Sequence, residues 1–461
     1  MSRATTTRWD ATTCTLAEHA ARAAGAAAQL QALGHAPLGL DKATSNLFRD
    51  RAQAHKQRLD LHDFGHLIAI DRQAGTVETE ASITYEALVD ATLPYGVMPA
   101  VVPQLKTITA GGAVAGVGIE ATSFRHGLVH DTLLEADVLL PDGRIVTCRP
   151  DNEHRDLFLG LPNSYGTLGY ALRLVLRTLP VRPFVAIEHR RFDTAAGFFD
   201  AMDSACNDIA ADFVDGVVFA ADDMVLNVGR FADSAPSCSD YTYLDLYWHS
   251  LRDKPHDALT TGDWLWRWDT DWFWCSRNFG AEHRWVRRLL GREHLNSRTY
   301  TQLMRLNARW GLTRALARSR GLRHSESGIQ DVDLPWRDAP AFLAFLLAEI
   351  GIVPIWVCPI RAPDPAMPFT LYPLQYGTRH VNFGFWDVVQ RREPLEHGHF
   401  NRLVERRVTE LGGIKSLYSE AYFTRDEFAR AYRMDLYEAL KDLYDPARRL
   451  LGLYEKCVLR M

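Results

Sequence analysis

The chain has 461 residues, a length that favours two domains over a single core. Its 47% hydrophobic and 24% charged residues describe an ordinary globular protein, and a net charge of −5 without a long basic run argues against nucleic acid as the main partner. The seven cysteines show no CxxC spacing, which excludes a disulfide framework and a metal site as expectations and fits a reducing, cytoplasmic setting.

The first twenty residues contain no apolar run of the secretory kind. An Ala-rich helix is predicted over 16–33, followed by a loop over 40–49. Two strands, 67–71 and 76–80, flank the turn Arg72-Gln-Ala-Gly75. Helical spacing over 84–95 stops at Gly96. Residues 107–127, TITAGGAVAGVGIEATSFRHG, then pack five glycines and four alanines into twenty-one positions. A strand over 133–140, the turn Pro141-Asp-Gly143 and a strand over 145–148 read as a hairpin. A small-residue turn over 163–169 leads into a strand over 170–179. Residues 184–335 read as richer in helix-like and aromatic segments. The apolar stretch 341–360 reads as a helix (339–350) and a buried strand (353–358), because Glu349 and Pro354 interrupt it. A strand over 379–385 and helices over 397–412 and 426–443 complete a mixed α+β chain.

A backbone as bare as 107–127 can approach a ligand closely and turn its N–H groups onto phosphate oxygens, so the stretch points to a nucleotide cofactor. Gly116-Val-Gly118-Ile-Glu-Ala121 matches G-x-G-x-x-A, but the context of a Rossmann fold is missing. Thr107–Ala115 is too small and glycine-rich for the buried strand, and no amphipathic helix follows. For each glycine the bland reading is a tight turn.

The order of elements resembles the PCMH-type FAD-binding domain of the vanillyl-alcohol oxidase superfamily, and within it the Δ24-sterol reductase branch. The residues that carry the likeness are Thr109–Thr122, His126-Gly127, Leu140-Pro-Asp-Gly143, Asp156-Leu-Phe158 with Gly166-Thr-Leu-Gly169, Trp264–Gly280, Lys415-Ser-Leu-Tyr418 and Tyr444-Asp-Pro446. The resemblance implies a PCMH-type domain of two α/β subdomains (1–180), a mixed α+β substrate or cap domain (181–410) and a C-terminal segment returning to the FAD domain (411–461). It implies that Thr107, Thr109, Ala110, Gly111, Gly112, Ala113, Gly116, Gly118, Ile119 and Glu120 line the FAD pyrophosphate and ribityl chain. Thr44, Ser45 and Asn46 would stand at an earlier phosphate loop, where the bland reading is a helix cap or Asx turn. Ser123, His126 and Gly127 would border the isoalloxazine, and Thr167 to Gly169 the adenine side. The loop Asp41–Asn46 has neither His nor Cys, so FAD is expected to be held non-covalently.

Residues 263–279, DWLWRWDTDWFWCSRNF, hold five of the twelve tryptophans. They read either as a packed aromatic core or as an apolar wall for a long hydrophobic substrate, with a patch on a membrane surface and with Arg267, Asp269 and Asp271 at its rim. The resemblance implies reduction of a carbon–carbon double bond in a lipid. The favoured substrate is a methylene-branched fatty acyl chain, on the Ala- and Arg-rich composition and the lack of the N-terminal membrane helix of the animal enzymes. A sterol side chain is the alternative. NADPH or NADH is the expected electron donor, and a methyltransferase a candidate partner. An isolated alkene is poorly electrophilic, so an acid must protonate one carbon as hydride reaches the other. Tyr418 is the first candidate for that acid. Tyr422, Glu120, His380 and Asn382 are others, and Lys415 is a candidate to stabilise the reduced flavin. An FAD-linked alcohol or hydroxy-acid oxidase or dehydrogenase, and a non-catalytic flavin scaffold, are the competing functions.

Overall fold

The computed structural model describes residues 13–34, 36–42, 44, 48, 56–310 and 321–461. A helix over Leu16–Ala32 opens them, closed at its N-terminus by a capping box in which Thr15 and Glu18 satisfy each other's backbone N–H groups. Its buried Ala23, Ala26 and Leu30 pack with Leu59, Leu61 and Tyr170. β1 (Leu38–Asp41) and β2 (Gln57–Asp60) form a parallel pair.

β3 (Leu67–Asp71), β4 (Thr76–Glu80), β5 (Val97–Pro99), β6 (Leu133–Leu139), β7 (Ile145–Cys148) and β8 (Tyr170–Pro180) build an antiparallel sheet. Its order is β3-β4-β8-β6-β7, with β5 also on β8. Both hairpins lie where their turn residues place them. The helical spacing after β4 becomes a helix over Tyr85–Thr92, capped by the Thr84 hydroxyl, then a 3₁₀ turn that ends at Gly96 with φ 73°.

The second sheet has eight strands: β9 (Phe184–Phe192), β10 (Phe213–Ala220), β11 (Asp223–Ala232), β12 (His256–Thr260), β13 (His324–Pro335), β14 (Ile355–Arg361), β15 (Arg379–Arg391) and β16 (Ile414–Lys415). Their order is β12-β9-β11-β10-β14-β15-β13-β16, antiparallel throughout. This corrects the helix-like reading of 184–335, which supplies five of the strands. Of these, β10 and β11 are buried on both faces along most of their length and so read as apolar runs without the period-2 signal, whereas β9 alternates between buried and more open positions. One face packs on helices at Ala195–Asn207, Ala339–Phe345 and His399–Glu410 through Val214, Val357, Phe383 and Phe385. The opposite face carries Phe213, Trp356 and Trp386.

The C-terminal helical spacing over 426–443 is two helices, Arg425–Ala431 and Met434–Tyr444, separated at Arg433 with φ 47°. This segment touches the first sheet's loops: Lys441 Nζ donates to the carbonyl of Thr167 at 2.6 Å, and Lys456 Nζ to that of Tyr165 at 2.6 Å. Among the described residues no helix is long and apolar enough to cross a membrane.

Candidate active site

A cavity of about 780 Å³ opens between the two sheets. One wall is the glycine stretch: Thr109, Gly111 to Ile119, and across from them Ser164 to Thr167 with Gly169. The other wall is aromatic, formed by Phe48, Phe273, Trp356, Trp386 and Tyr418, with Asp331 among them. Phe48 and Trp386 have ring centroids 4.7 Å apart, Phe273 and Trp386 5.3 Å, and Trp386 and Tyr418 6.2 Å.

The glycine stretch differs from a bare loop. It contains a six-residue helix, Ala110–Ala115, capped by Thr109. The amides of its first residues are engaged inside the protein: Gly111 donates to the Ala81 carbonyl at 2.8 Å and Gly112 to the Thr109 hydroxyl at 3.2 Å. The backbone open to a ligand lies further on. The buried amides of Val117 and Ile119 donate to no acceptor among the described residues, and both residues line the cavity. Val117 is a β-branched residue at φ 54°, a costly conformation that aims its amide away from the regular ladder. Gly118 between them has no room for a side chain, since a Cβ would stand 2.8 Å from Val129 Cγ2 and 3.0 Å from Pro103 Cγ.

These features fit FAD. Buried Gln104 Nε2, Ser164 Oγ and Ser416 Oγ line the cavity and lack a partner among the described residues, as groups awaiting ligand oxygens and ring nitrogens would. Lys42, Lys56, Arg58 and Lys456 supply positive charge at the glycine wall. Lys42 Nζ lies 3.6 Å from where a Cβ on Gly112 would be. A dianionic pyrophosphate is matched by such a set, and a flat ring system by the aromatic wall.

Several expected positions lie elsewhere. Thr107 bonds to Ser297 and Ala110 is packed in the core; neither lines the cavity. Thr44 is off the cavity too, with its buried hydroxyl unpartnered among the described residues, and Ser45 and Asn46 fall outside those residues. Ser123, His126 and Gly127 were expected at the isoalloxazine, yet none lines the cavity. The Ser123 hydroxyl accepts the Glu120 amide at 3.1 Å, the short helix Ser123–His126 packs on β14, and Gly127 sits against Asp131. Burial and the nearby Arg125, Arg177 and Arg361 push the His126 imidazole down to about 4.

Glu120 points away from the cavity into a buried ionic cluster. Arg267 donates to Glu120 Oε1 at 2.7 Å and to Asp215 Oδ2 at 2.8 Å, and its guanidinium lies 3.7 Å from the Trp264 ring centroid. Burial pushes the Glu120 carboxyl up, and the neighbouring Asp215 adds to this against the pull of Arg267. Trp356 Nε1 donates to Asp215 at 3.2 Å, so the cluster holds one ring of the aromatic wall. Lys415 is likewise committed, donating to Glu405 Oε1 at 2.8 Å within a buried ion pair and not lining the cavity. Tyr422 bonds to Glu420. His380 bonds to its own loop at the Thr378 carbonyl.

The tryptophans of 264–274 are all buried, as are Arg267, Asp269 and Asp271. They form a core and no surface patch, which corrects both the membrane patch and the charged rim placed there. Phe273 alone of 263–279 reaches the cavity.

Tyr418 is at the cavity and donates to Asp331 Oδ2 at 2.7 Å. Asp331 escaped the sequence reading. Alternation puts it on the same face of β13 as Asp333, opposite Gly384 of β15. A Cβ on Gly384 would lie 2.7 Å from Asp331 Oδ1, so this glycine makes room for the carboxyl. Burial pushes Asp331 up to about 6, against hydrogen bonds from Tyr418, Asn382 and Trp386. Asn382 also donates to Asp333 at 2.8 Å, and Tyr372 donates to Asp333 at 2.8 Å. Burial raises Asp333 to about 7 and holds the phenol of Tyr418 well above its ordinary value. The result is a dry phenol–carboxyl pair at the aromatic wall, able to hold a proton near neutrality.

Residues 42–149 match the FAD binding domain family. The chain is 23% identical over 447 residues to a Δ24-sterol reductase of Arabidopsis thaliana, covering 88% of this chain and 77% of the plant protein. It is 23% identical over 402 residues to the Δ24-sterol reductase of Homo sapiens, covering 82% and 73% of the two chains. A cytokinin dehydrogenase 7 of Oryza sativa subsp. japonica is 34% identical over 90 residues, 20% of this chain and 17% of that protein. With the glycine wall inside the matched residues and the likeness running over most of the chain, the chain carries an FAD binding domain, is an FAD-dependent oxidoreductase, and is similar along most of its length to Δ24-sterol reductases.

Proposed function

We propose that this enzyme reduces a carbon–carbon double bond in a lipid, and that its substrate is a methylene-branched fatty acyl chain. The observation that carries the reduction is the Tyr418–Asp331 pair set among Phe48, Phe273 and Trp386 at one end of the cavity. Bound FAD in its reduced form supplies a hydride to one alkene carbon. The chain's own residues supply the rest. The aromatic wall excludes water and grips the apolar chain. Tyr418 Oη delivers a proton to the second alkene carbon and takes one from Asp331, so the alkene gains one hydride and one proton. NADPH or NADH refills the electrons in this proposal, and the flavin is held without a covalent bond. The acyl substrate is supported by the composition, while the names of the relatives favour a sterol side chain as the second reading.

The test uses the FAD-loaded protein, reduced without oxygen and mixed with defined lipids. Reoxidation by a methylene-branched phospholipid, with the methyl-branched product found by mass spectrometry, is the expected result. Reoxidation by a Δ24 sterol alone would move the assignment to the second reading. Reduction by alcohols or hydroxy acids, with no alkene turned over, would overturn both.

A further inference from the structure

We propose that the segment 284–306 docks on an anionic phospholipid bilayer and brings the aromatic end of the cavity to the membrane face. The inference rests on the lipid substrate proposed above. It starts from the short helix Arg284–Leu290, whose sequence is RWVRRLL. Trp285 is 65% exposed and Leu289 78% exposed, one helical turn apart on the same side. Arg288 stands exposed beside them. The opposite side is pinned to the body by buried Arg287, whose guanidinium donates to the carbonyls of Tyr243, Ala281 and Thr270. The helix is therefore fixed with its Trp, Leu and Arg outward.

Its charge fits an anionic lipid surface. From 284 to 306 the sequence carries six arginines, of which Arg287 is buried and Arg298 pairs with Glu86, and a single carboxylate, Glu293, in a chain whose net charge is −5. Arg284 and Arg292 pair with Asp245 and Asp240, but all four side chains are more than half exposed, and such pairs hold their charges weakly. A large aromatic and a leucine set among arginines on an exposed face is the pattern that lies in the headgroup region, with the apolar groups at the acyl boundary. Nucleic acid would use the arginines but give no reason to expose Leu289.

The position is apt for a lipid enzyme. Tyr300, in the helix that follows, stacks on Trp272 with centroids 5.1 Å apart and lies 6.5 Å from Phe48 of the cavity wall. The docking segment thus runs into a helix that packs behind the aromatic wall.

The test is co-sedimentation of the FAD-loaded full chain with vesicles, with no turnover needed. Binding to equimolar phosphatidylglycerol–phosphatidylcholine vesicles is expected, with little binding to phosphatidylcholine alone. Trp285→Ser with Leu289→Ser should cut partitioning at least about tenfold, from the apolar area withdrawn. Arg288→Glu should cut it by about fivefold or more, an effect that added salt masks. Both variants should keep their bound flavin and their activity on detergent-dispersed lipid, which separates loss of docking from loss of fold. Failure of the full chain to sediment with anionic vesicles, unchanged sedimentation of the double variant, or equal binding to neutral vesicles would overturn the proposal. Binding of the full chain to duplex RNA in place of vesicles would do the same. Vesicle binding by a protein that reduces no alkene would leave docking standing and sink only the proposed reaction.

Discussion

The two walls of the cavity are built in opposite ways. The glycine wall is nearly contiguous: Thr109 and Gly111 to Ile119 pass along it in sequence order, and its chemistry resides in backbone amides and room for a ligand. The aromatic wall is assembled from five distant places, Phe48, Phe273, Trp356, Trp386 and Tyr418, and its chemistry resides in side chains. Contiguity makes a cofactor wall tolerant of side-chain change, while dispersal makes the substrate wall depend on what lies behind each ring. The sharpest way to break this contrast is Tyr418→Phe. It removes one oxygen from the aromatic wall and leaves the glycine wall untouched. Alkene reduction should fall by about 10²- to 10⁴-fold at saturating lipid, the range for loss of a general acid, with the flavin spectrum unchanged. Full activity in the variant would remove Tyr418 from the chemistry.

Next in size is the support behind the aromatic wall. Arg267→Met removes the cation between Glu120 and Asp215 and leaves two buried carboxyl groups without it. A destabilisation of about 3–5 kcal/mol is expected, visible as a lower thermal midpoint. The loss should shrink at acid pH, where the orphaned carboxyls take protons. A variant as stable as the parent at neutral pH would show that the cluster does not hold Trp356 in place.

On the other wall the matching perturbation is Gly118→Ala. The added methyl meets Val129 at 2.8 Å and Pro103 at 3.0 Å and must shift the backbone that carries the Val117 and Ile119 amides. Overpacking of this kind costs about 1–3 kcal/mol. If those amides serve the cofactor, FAD should bind about tenfold more weakly or worse, read by titration of the apoprotein. An unchanged affinity, with only stability lowered, would say that the amides do not serve the cofactor.

The same contrast explains what could be read from the sequence. The glycine wall announced itself, because a run of small residues between strand signals has few other uses. Beside it, Thr107 and Ala110 turned out to be framework, the one bonded to Ser297 and the other packed in the core. Turn residues also located the hairpins of the first sheet. The aromatic wall was hidden for two reasons. Its strands β14 and β15 are buried on both faces, so no alternation shows which of their side chains turn to the cavity. Its members are hundreds of residues apart, as Phe48 and Trp386 are, and it is the pairing of β13 with β16 that brings Asp331 to Tyr418. The tryptophans at 264–274 stood out in the sequence yet serve as core, whereas the exposed Trp285 stood alone and went unnoticed. Charge density gave a further cue, since six arginines between 284 and 306 form a local bias that whole-chain charge conceals.

The smallest effect expected concerns Asp333, one shell behind the aromatic wall. Burial raises its carboxyl from 3.8 to about 7, so the folded protein binds that proton more tightly than the unfolded chain. Stability from this group is therefore fully present at low pH and is lost as pH rises from 3.8 through about 7. Asp333→Asn keeps the group neutral at every pH. Its amide can still accept from Tyr372, and Asn382, whose own Oδ1 lacks a partner among the described residues, can turn to receive the new N–H. Between pH 5 and pH 8 the variant should gain on the parent by about 1–3 kcal/mol, since the parent gives up its proton over that interval while any cost of an imperfect hydrogen bond is the same at both. Denaturant midpoints at the two pH values decide it. A variant equally destabilised at both would mean that Asp333 is ionised in the folded protein, and then the neighbouring Asp331 would face a full negative charge and the Tyr418 pair would hold its proton still more tightly.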